Sequence, residues 1–211
     1  EENVFDHNGW HDTLQSPTVF NHNMYIQNTC TNVVVRKNIN ARASSHGIQL
    51  RPGGILDDNL FVQNPINILF GGGYASQGAS AGYSGSVTDN IILDAIDMQT
   101  SPVTSRGFGI DIQNINSGGI VLTGNIVAGS EALGTYGIYL NGTTGGQDYK
   151  GINNMSMTNN IVYQQQRQLR VSGSSLITGS SIADNIFVAL PSVNAGNTAK
   201  FIELTSIPAD Y

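Results

Sequence analysis

The sequence predicts an all-β protein folded as a single-stranded right-handed parallel β-helix of about seven coils. Three observations support this fold: a recurrent motif of Asn followed by apolar residues, short stretches in which apolar residues alternate, and the lack of helical periodicity. The motif recurs at intervals of 21 to 35 residues, as expected for stacked coils whose loops differ in length. The motifs begin at Asn3, Asn38, Asn59, Asn90, Asn125, Asn160 and Asn185.

The repeated Asn predicts a ladder that joins the coils. Stacked Asn amides can bond from one coil to the next at a bend, and Asn tolerates left-handed backbone angles. We therefore interpret these seven residues as structural and not catalytic.

The second apolar stretch of each coil predicts which side chains face outward. Strand side chains alternate, so the residue between two core-facing residues must point out of the coil. The core-facing pairs are Met24/Ile26, Ile48/Leu50, Ile66/Ile68, Ile110/Ile112, Ile138/Leu140, Leu169/Val171 and Ile202/Leu204. The predicted outward column is Tyr25, Gln49, Asn67, Asp111, Tyr139, Arg170 and Glu203. With strands about 4.8 Å apart it would be about 29 Å long and would accommodate an extended polymer.

Two histidines are expected to meet at the rim of this column. The rim residues lie two positions before each core-facing pair and are His22, His46, Asn64, Phe108, Tyr136 and Arg167. Because His22 and His46 fall on successive coils, they should be neighbours in space. Tyr25 and Arg51 should project into the same groove, flanked by Asn23 and Gln49.

Composition fits one domain over residues 1–211, because 39% of the residues are hydrophobic, only 11% are charged and 25 are Gly. The lone Cys30 excludes an internal disulfide and is interpreted as a small buried residue. No apolar run is long enough to cross a bilayer, so we expect no membrane partner.

The chain begins at Glu1 in the middle of a repeat, and a solenoid end needs a cap. We therefore expect this chain to be the C-terminal portion of a longer β-helix, or another chain to cover its N-terminal end. The segment after Glu203 is expected to form the opposite cap.

Charge is distributed unevenly along the chain. Between Asp12 and Asp57 there is no Asp or Glu, although the net charge of the chain is −6. A local basic cluster without an extended basic stripe favours a compact anion, such as a sugar carboxylate, over a nucleic acid. We therefore expect an acidic polysaccharide as partner and no nucleic acid. The basic residues of this stretch are Arg36, Lys37, Arg42 and Arg51.

No cofactor or metal site is predicted. The two rim histidines have no acidic neighbours in sequence, and the chain has no Cys/His cluster. Calcium would need several oxygen ligands, for which only Asp94, Asp97 and backbone carbonyls are candidates.

Two segments resemble a known family. Asn21-His22-Asn23-Met24-Tyr25 and residues 42–54, Arg-Ala-Ser-Ser-His-Gly-Ile-Gln-Leu-Arg-Pro-Gly-Gly, resemble right-handed parallel β-helix proteins of bacterial polysaccharide-degrading systems, particularly alginate-lyase-like ones. The resemblance implies a secreted or periplasmic lyase that cleaves a uronic-acid polymer. Several lyases of this fold use a Lys and an Arg; here Lys37 lies beside a ladder Asn. The same fold also carries hydrolases, epimerases and phage adhesins.

β-Elimination on a uronate needs a cation to neutralise the carboxylate, a base for the C5 proton and an acid for the departing O4. Arg51, Arg42 or the histidines would supply the first. Tyr25 would be base, acid or both, with His46 or His22 as the alternative base. The predicted catalytic residues are Tyr25, His46, His22 and Arg51. The predicted substrate-binding residues are Arg42, Gln49, Asn23, Asn67, Trp10 and Tyr74.

Two other functions stay open at this point. A glycoside hydrolase needs two carboxyl groups about 5 to 9.5 Å apart, and the candidates are Asp57, Asp58, Asp89, Asp94, Asp97 and Asp111. A non-catalytic carbohydrate-binding or tailspike-like β-helix would stack aromatic rings on sugars, with candidates Trp10, Tyr74, Tyr83, Tyr139 and Tyr163. The Gly-rich segment from Gly71 to Gly85 is expected to fold over the cleft and lacks phosphate-loop spacing.

Overall fold

The computed structural model describes residues 1–11, 13–72, 82–100, 102–130, 135–142, 151–163, 165–173, 177–188 and 200–205, the last segment without the side chains of residues 200, 201 and 205. Every regular element in these ranges is a β-strand, and the strands form three parallel sheets that the chain visits in turn. The fold is the predicted right-handed parallel β-helix of about seven coils.

Each coil contributes to each sheet in the same order. The first sheet contains β1 (Val4–Asp6), β4 (Ile39–Ala41), β7 (Leu60–Val62), β10 (Ile91–Ala95), β13 (Ile126–Ser130), β17 (Ile161–Tyr163) and β21 (Ile186–Val188). The second sheet contains β2 (His22–Ile26), β5 (His46–Leu50), β8 (Ile66–Gly71), β11 (Phe108–Gln113), β14 (Tyr136–Asn141), β18 (Arg167–Ser172) and β22 (Lys200–Thr205). The third contains β3 (Val34–Arg36), β6 (Gly53–Asp57), β9 (Tyr83–Thr88), β12 (Ile115–Thr123), β15 (Ile152–Asn153), β16 (Met155–Thr158), β19 (Ile177–Thr178) and β20 (Ser181–Ala183).

The repeated Asn forms the predicted ladder immediately before each strand of the first sheet. Asn125 Oδ1 accepts hydrogen bonds from the backbone nitrogen and from Nδ2 of Asn90, both at 3.1 Å. Asn125 in turn donates from the same two atoms to Asn160 Oδ1, at 3.1 and 2.9 Å. The same pair of bonds joins every step from Asn3 to Asn185. The interior rungs are fully buried, so the coils are locked in register.

The left-handed backbone lies one residue earlier than predicted. At every rung the residue before the ladder Asn has positive φ, between 52° and 69°: Glu2, Lys37, Asp58, Asp89, Gly124, Asn159 and Asp184. Gly, Asn and Asp adopt this conformation most easily, which explains why they fill five of the seven positions. Lys37, at φ 55°, therefore belongs to the turn that feeds the ladder.

The apolar core confirms most of the predicted core-facing pairs. Ile48/Leu50, Ile110/Ile112, Ile138/Leu140 and Leu169/Val171 are all buried. Ile202 and Leu204, in the last strand of the second sheet, keep the predicted register with Leu169 and Val171 but are half exposed. Cys30 is exposed, contrary to prediction, because it lies in the turn after β2 and not on a strand.

One coil differs from the predicted alignment. In β8, Ile68 and Phe70 pair with Ile48 and Leu50, so Leu69 and not Asn67 occupies the outward column, and Ile66 and not Asn64 occupies the rim. Both Asn64 and Asn67 are fully buried. The residues Ile-Asn-Ile-Leu-Phe of this strand are almost all apolar, so alternation fits two registers and cannot choose between them.

We expect Asn125→Ala to destabilise the fold by about 3 kcal/mol, because it leaves several buried backbone and amide groups of neighbouring coils without hydrogen bonds. Besides Asn90 and Asn160, the amide serves the carbonyls of Val87 and Thr123. Urea unfolding followed by circular dichroism measures the change.

The matched control is Asn185→Ala, at the last described rung, where the side chain is partly exposed and water can replace the lost bonds. Its expected cost is about 1 kcal/mol. Equal costs at the two positions would show that the buried ladder bonds do not set the stability.

Candidate functional site

The two rim histidines lie side by side, as predicted. His22 on β2 and His46 on β5 are register partners in the second sheet. Their Nδ1 atoms are 3.1 Å apart, and their ring centroids are 4.4 Å apart with the rings nearly perpendicular. Parallel stacking thus brings together two residues that are 24 positions apart in sequence.

Tyr25 and Arg51 project into the same groove. The Tyr25 ring stacks on His22 with centroids 5.4 Å apart, and Arg51 Cζ lies 4.9 Å from the Tyr25 centroid. Tyr25 is 38% exposed, whereas Arg51 is only 9% exposed. These residues line a groove of about 360 Å³, called the histidine groove below. Its lining is Val19, Phe20, His22, Tyr25, His46, Gln49 and Arg51.

Both histidines of the groove are held in the neutral state. Burial lowers the pKa of His22 to about 4; the charge of Arg51 adds to this, and hydrogen bonds to the Asn21 backbone and the Gln49 side chain oppose it. Burial also lowers the pKa of His46 well below its usual value, with smaller contributions from His22, Arg106 and Arg51. At neutral pH one Nδ1 therefore donates the shared proton and the other accepts it.

Arg42 does not reach the groove. It follows β4 in a left-handed turn, with φ 50°, and its guanidinium forms a two-point ion pair with Asp6. Arg36 forms an ion pair with Glu1 through a single contact, from Nε to Oε2. The stretch between Asp12 and Asp57 has no acidic residue of its own, but in the folded chain two of its arginines pair with Asp6 and Glu1 of the preceding coil. The predicted cluster of unpaired basic residues is therefore wrong. Of its four basic residues, the groove contains Arg51.

The other predicted binding residues have structural roles or lie elsewhere. Trp10 stacks on His7 and its Nε1 donates to the Arg42 carbonyl at 2.8 Å, so it is outside the groove. Asn23 Nδ2 donates to Asn40 Oδ1 at 2.8 Å and to the Ala41 carbonyl at 2.7 Å, which ties β2 to the first sheet.

Asn67, predicted to face the substrate, is buried and its Nδ2 donates to the Phe108 carbonyl at 3.2 Å. Gln49 lines the groove as predicted. Tyr74 lies outside the described residues, as does most of the Gly-rich segment proposed to cover the cleft.

The outward column is in register over the whole sheet but is not accessible over its whole length. Its residues are Tyr25, Gln49, Leu69, Asp111, Tyr139, Arg170 and Glu203. In the middle, Leu69, Asp111 and the rim residue Ile66 are buried. The predicted continuous polymer path is therefore interrupted, and the face divides into the histidine groove and a second cluster farther along.

This second cluster, the tyrosine–arginine cluster, consists of Tyr136, Tyr139, Arg167, Arg170 and Glu203. Arg170 Cζ lies 4.7 Å from the Tyr136 centroid and 5.0 Å from that of Tyr139. Glu203 Oε2 is 2.7 Å from Arg167 Nε and 3.6 Å from Arg170 Nε. Aligning the coils with one another already places these residues on adjacent strands. The rim has Tyr136 beside Arg167 and the outward column has Tyr139 beside Arg170, and this repeated Tyr–Arg pairing was the signal in the sequence that could have identified the cluster.

Asp111 is the one candidate hydrolase carboxyl on the outward column. Its side chain is 5% exposed, Oδ2 accepts a hydrogen bond from Gln113 Nε2 at 3.0 Å, and Oδ1 has no hydrogen-bond partner in the described part of the chain. Burial raises its pKa to about 7, against the opposing effects of Gln113 and Arg170. Asp111 is thus partly protonated at neutral pH.

The remaining candidate acids occupy other structural positions. Asp58 and Asp89 adopt positive φ in turns, and Asp94 adopts positive φ within β10. Asp57 Oδ1 accepts a bond from Thr88 Oγ1, and Asp97 Oδ1 accepts one from the Arg106 backbone at 2.7 Å. Among the residues that the structure describes, no group of three or more His, Cys, Asp or Glu side chains is placed to hold a metal ion. In the same residues no helix is long and apolar enough to cross a membrane.

The histidine pair predicts a pH-dependent stability. Unfolded histidines bind protons near pH 6.5, whereas folded His22 does so only near pH 4. The pair should therefore subtract on the order of 2 kcal/mol from the free energy of unfolding as the pH falls between these values. His22→Gln/His46→Gln removes this contribution, so the free energy of unfolding of the wild type minus that of the variant, measured by urea unfolding, should fall by that amount.

Exposed His11 lies outside the groove, so His11→Gln should keep the wild-type pH dependence. Asp111 titrates in the opposite sense but is present in all three proteins. The difference between their curves of unfolding free energy against pH therefore reports the contribution of the histidine pair alone. Parallel curves for the wild type and the double variant would contradict the burial of the two histidine rings.

Comparison with known proteins adds no family to this geometry. No family model, no curated protein and no solved structure matches the chain. The resemblance to alginate-lyase-like proteins therefore stays a prediction, and the function has to be argued from the site.

Proposed function

We propose that this protein is a polysaccharide lyase that cleaves a uronic-acid-containing polymer by β-elimination in the histidine groove. The observation that carries the proposal is that a neutral histidine pair, a half-exposed tyrosine and a buried arginine line one groove. These are a proton acceptor, a proton donor and a cation, the three functions that the reaction needs. The partner is an acidic polysaccharide, and such an enzyme would be secreted or periplasmic.

Arg51 would neutralise the uronate carboxylate. A guanidinium binds a carboxylate through charge-assisted hydrogen bonds, and its field is stronger where water is largely excluded. Arg51 is held in such a place, with its guanidinium over the Tyr25 ring. Neutralising the carboxylate makes the C5 proton more acidic and stabilises the enolate-like charge that develops when this proton leaves.

His22 would take the C5 proton. In the tautomer in which His22 Nδ1–H donates to His46 Nδ1, the other ring nitrogen of His22 carries a lone pair. His46 then acts as a positioning residue, and Gln49, whose side chain bonds to His22, helps to orient the ring. Because burial keeps His22 neutral, the base is present well below pH 6.5.

Tyr25 would protonate the leaving oxygen. As the C5–H electrons form the C4–C5 double bond, the C4–O4 bond breaks and O4 takes the phenolic proton. The products are an unsaturated non-reducing end and a free hydroxyl, and solvent returns the proton from His22 to Tyr25. The stacking of Tyr25 on His22 and under Arg51 supports this pairing of donor and acceptor.

Carbohydrate binding without catalysis is the second candidate, favoured by the tyrosine–arginine cluster on the same face. A hydrolase is less favoured, because the two acids of the column, Asp111 and Glu203, are three strands apart. Three inter-strand steps of about 4.8 Å give about 14 Å, which exceeds the separation used by glycoside hydrolases.

We expect Tyr25→Phe and His22→Gln each to lower the rate of unsaturated product formation at least about 100-fold, the usual size of an acid or base contribution. The assay follows ultraviolet absorbance during incubation with alginate, glucuronan and pectate. Tyr163→Phe is the matched control, because Tyr163 is equally exposed, at 37%, but lies on the first sheet.

Full activity in either groove variant would refute the assigned roles. Binding of these polymers without any product from the wild type would favour the non-catalytic function. Saturated reducing-end products would indicate a hydrolase.

The pH profile of kcat/KM tests the base separately. If His22 is the base, the acidic limb should lie near pH 4 and not near pH 6.5, because the lowered pKa of His22 keeps the ring neutral between these values. A limb near pH 6.5 would point to an exposed histidine and exclude His22.

A further inference from the structure

The outer face of the first sheet carries a continuous apolar column. Its residues follow the ladder Asn directly and are in register from strand to strand: Val4, Ile39, Leu60, Ile91, Ile126, Ile161 and Ile186. Six of them are between 37% and 69% exposed, and Leu60 is partly exposed. A row of seven aliphatic side chains is thus wholly or partly exposed to solvent along the whole sheet.

A second outward column runs beside the first, two residues farther along each strand. It consists of Asp6, Ala41, Val62, Leu93, Ala128, Tyr163 and Val188. Asp6 is the only charged residue among the 14 outward positions of the two columns, and 13 are apolar or aromatic. We call these 13 residues the outer apolar face.

Such a face is unusual for a sheet with one solvated side. Sheets that are covered on one side only normally show polar residues on the other, whereas strands covered on both sides are apolar throughout. The other sheets of this protein follow the usual rule: the second presents His, Gln, Tyr, Arg and Glu, and the third places Ser86, Ser156 and Ser181 in register with its outward apolar residues. The first sheet alone has the composition of a buried layer.

We infer that the outer apolar face packs against the same face of a second copy of this chain, forming a twofold dimer. Seven strands about 4.8 Å apart make the face about 29 Å long, and two columns of side chains make it about 15 Å wide. The outline of about 450 Å² is at the size where exposed apolar patches usually mark an interaction site. Two such faces make about 900 Å², the size of weak, transient interfaces.

The chemistry of the face and of its borders favours a second copy over other occupants. Aliphatic side chains offer a sugar no hydrogen bonds. Asp58, Asp89 and Asp184 border one edge of the face, in the turns before the ladder. A flat anionic membrane would meet all of them, whereas two copies packed with antiparallel strands place them at opposite edges of the interface. Two flat sheets can pack face to face at about 10 Å, and a face that pairs with itself closes as a dimer.

Sedimentation velocity and light scattering on the whole chain, from about 1 to about 200 µM, test this inference. We expect the mass to rise with concentration from 22.4 kDa towards twice that value. Ile91→Lys/Ile126→Lys places charges in the centre of the face and should weaken association at least tenfold, because two lysines would be buried in the interface.

The matched control is Ile55→Lys/Val121→Lys on the outer face of the third sheet, where the side chains are 45% and 44% exposed, against 42% and 37% for Ile91 and Ile126. This variant should dimerise as the wild type does, and circular dichroism should show both variants folded. A monomer at every concentration would overturn the inference, as would association that survives the first pair of substitutions. Co-sedimentation of a monomeric wild type with phosphatidylcholine vesicles would instead make this face a lipid-binding surface.

Discussion

The buried asparagine ladder fixes how each coil sits on the next. Each rung joins a backbone N–H and a side-chain amide of one coil to the amide oxygen of the next, so a shift of register would leave several buried groups unpaired. The left-handed residue before each rung turns the chain into the first sheet at the same point of every coil. Coils of unequal length are thereby held with corresponding residues one above another.

This register decides what can meet on the surface. Strands of successive coils pair in register although the loops before them differ in length, which is how His22 comes to contact His46 and how Tyr136, Arg167 and Arg170 come to share one cluster. The same rule stacks the aliphatic residues after each rung into a column. A short motif repeated along the chain therefore generates three surfaces of different chemistry: a histidine groove, a tyrosine–arginine cluster and an apolar face.

The sequence predicted the fold, the ladder and the meeting of the two histidines, because all three depend only on the repeat and on alternation along a strand. It misplaced Asn67, because Ile68, Leu69 and Phe70 are all apolar and alternation does not choose a register there. It assigned Arg42 to the site because Asp6 is distant in sequence and becomes its partner only when the first two coils stack. Burial of the column at Leu69 and Asp111 was not predictable either, since no local pattern reports what covers an outward side chain.

The burial of both acidic and basic ionisable groups on the second sheet has a consequence for how the protein responds to acid. On acidification from about pH 7 to about pH 4, the histidine pair weakens the native state, because the unfolded chain takes up protons first. Buried Asp111 strengthens it over much of the same interval, because its folded form takes up a proton earlier than the unfolded chain does. The two titrations change the free energy of unfolding in opposite directions, so the stability of the fold varies less with mild acidification than either titration alone would cause.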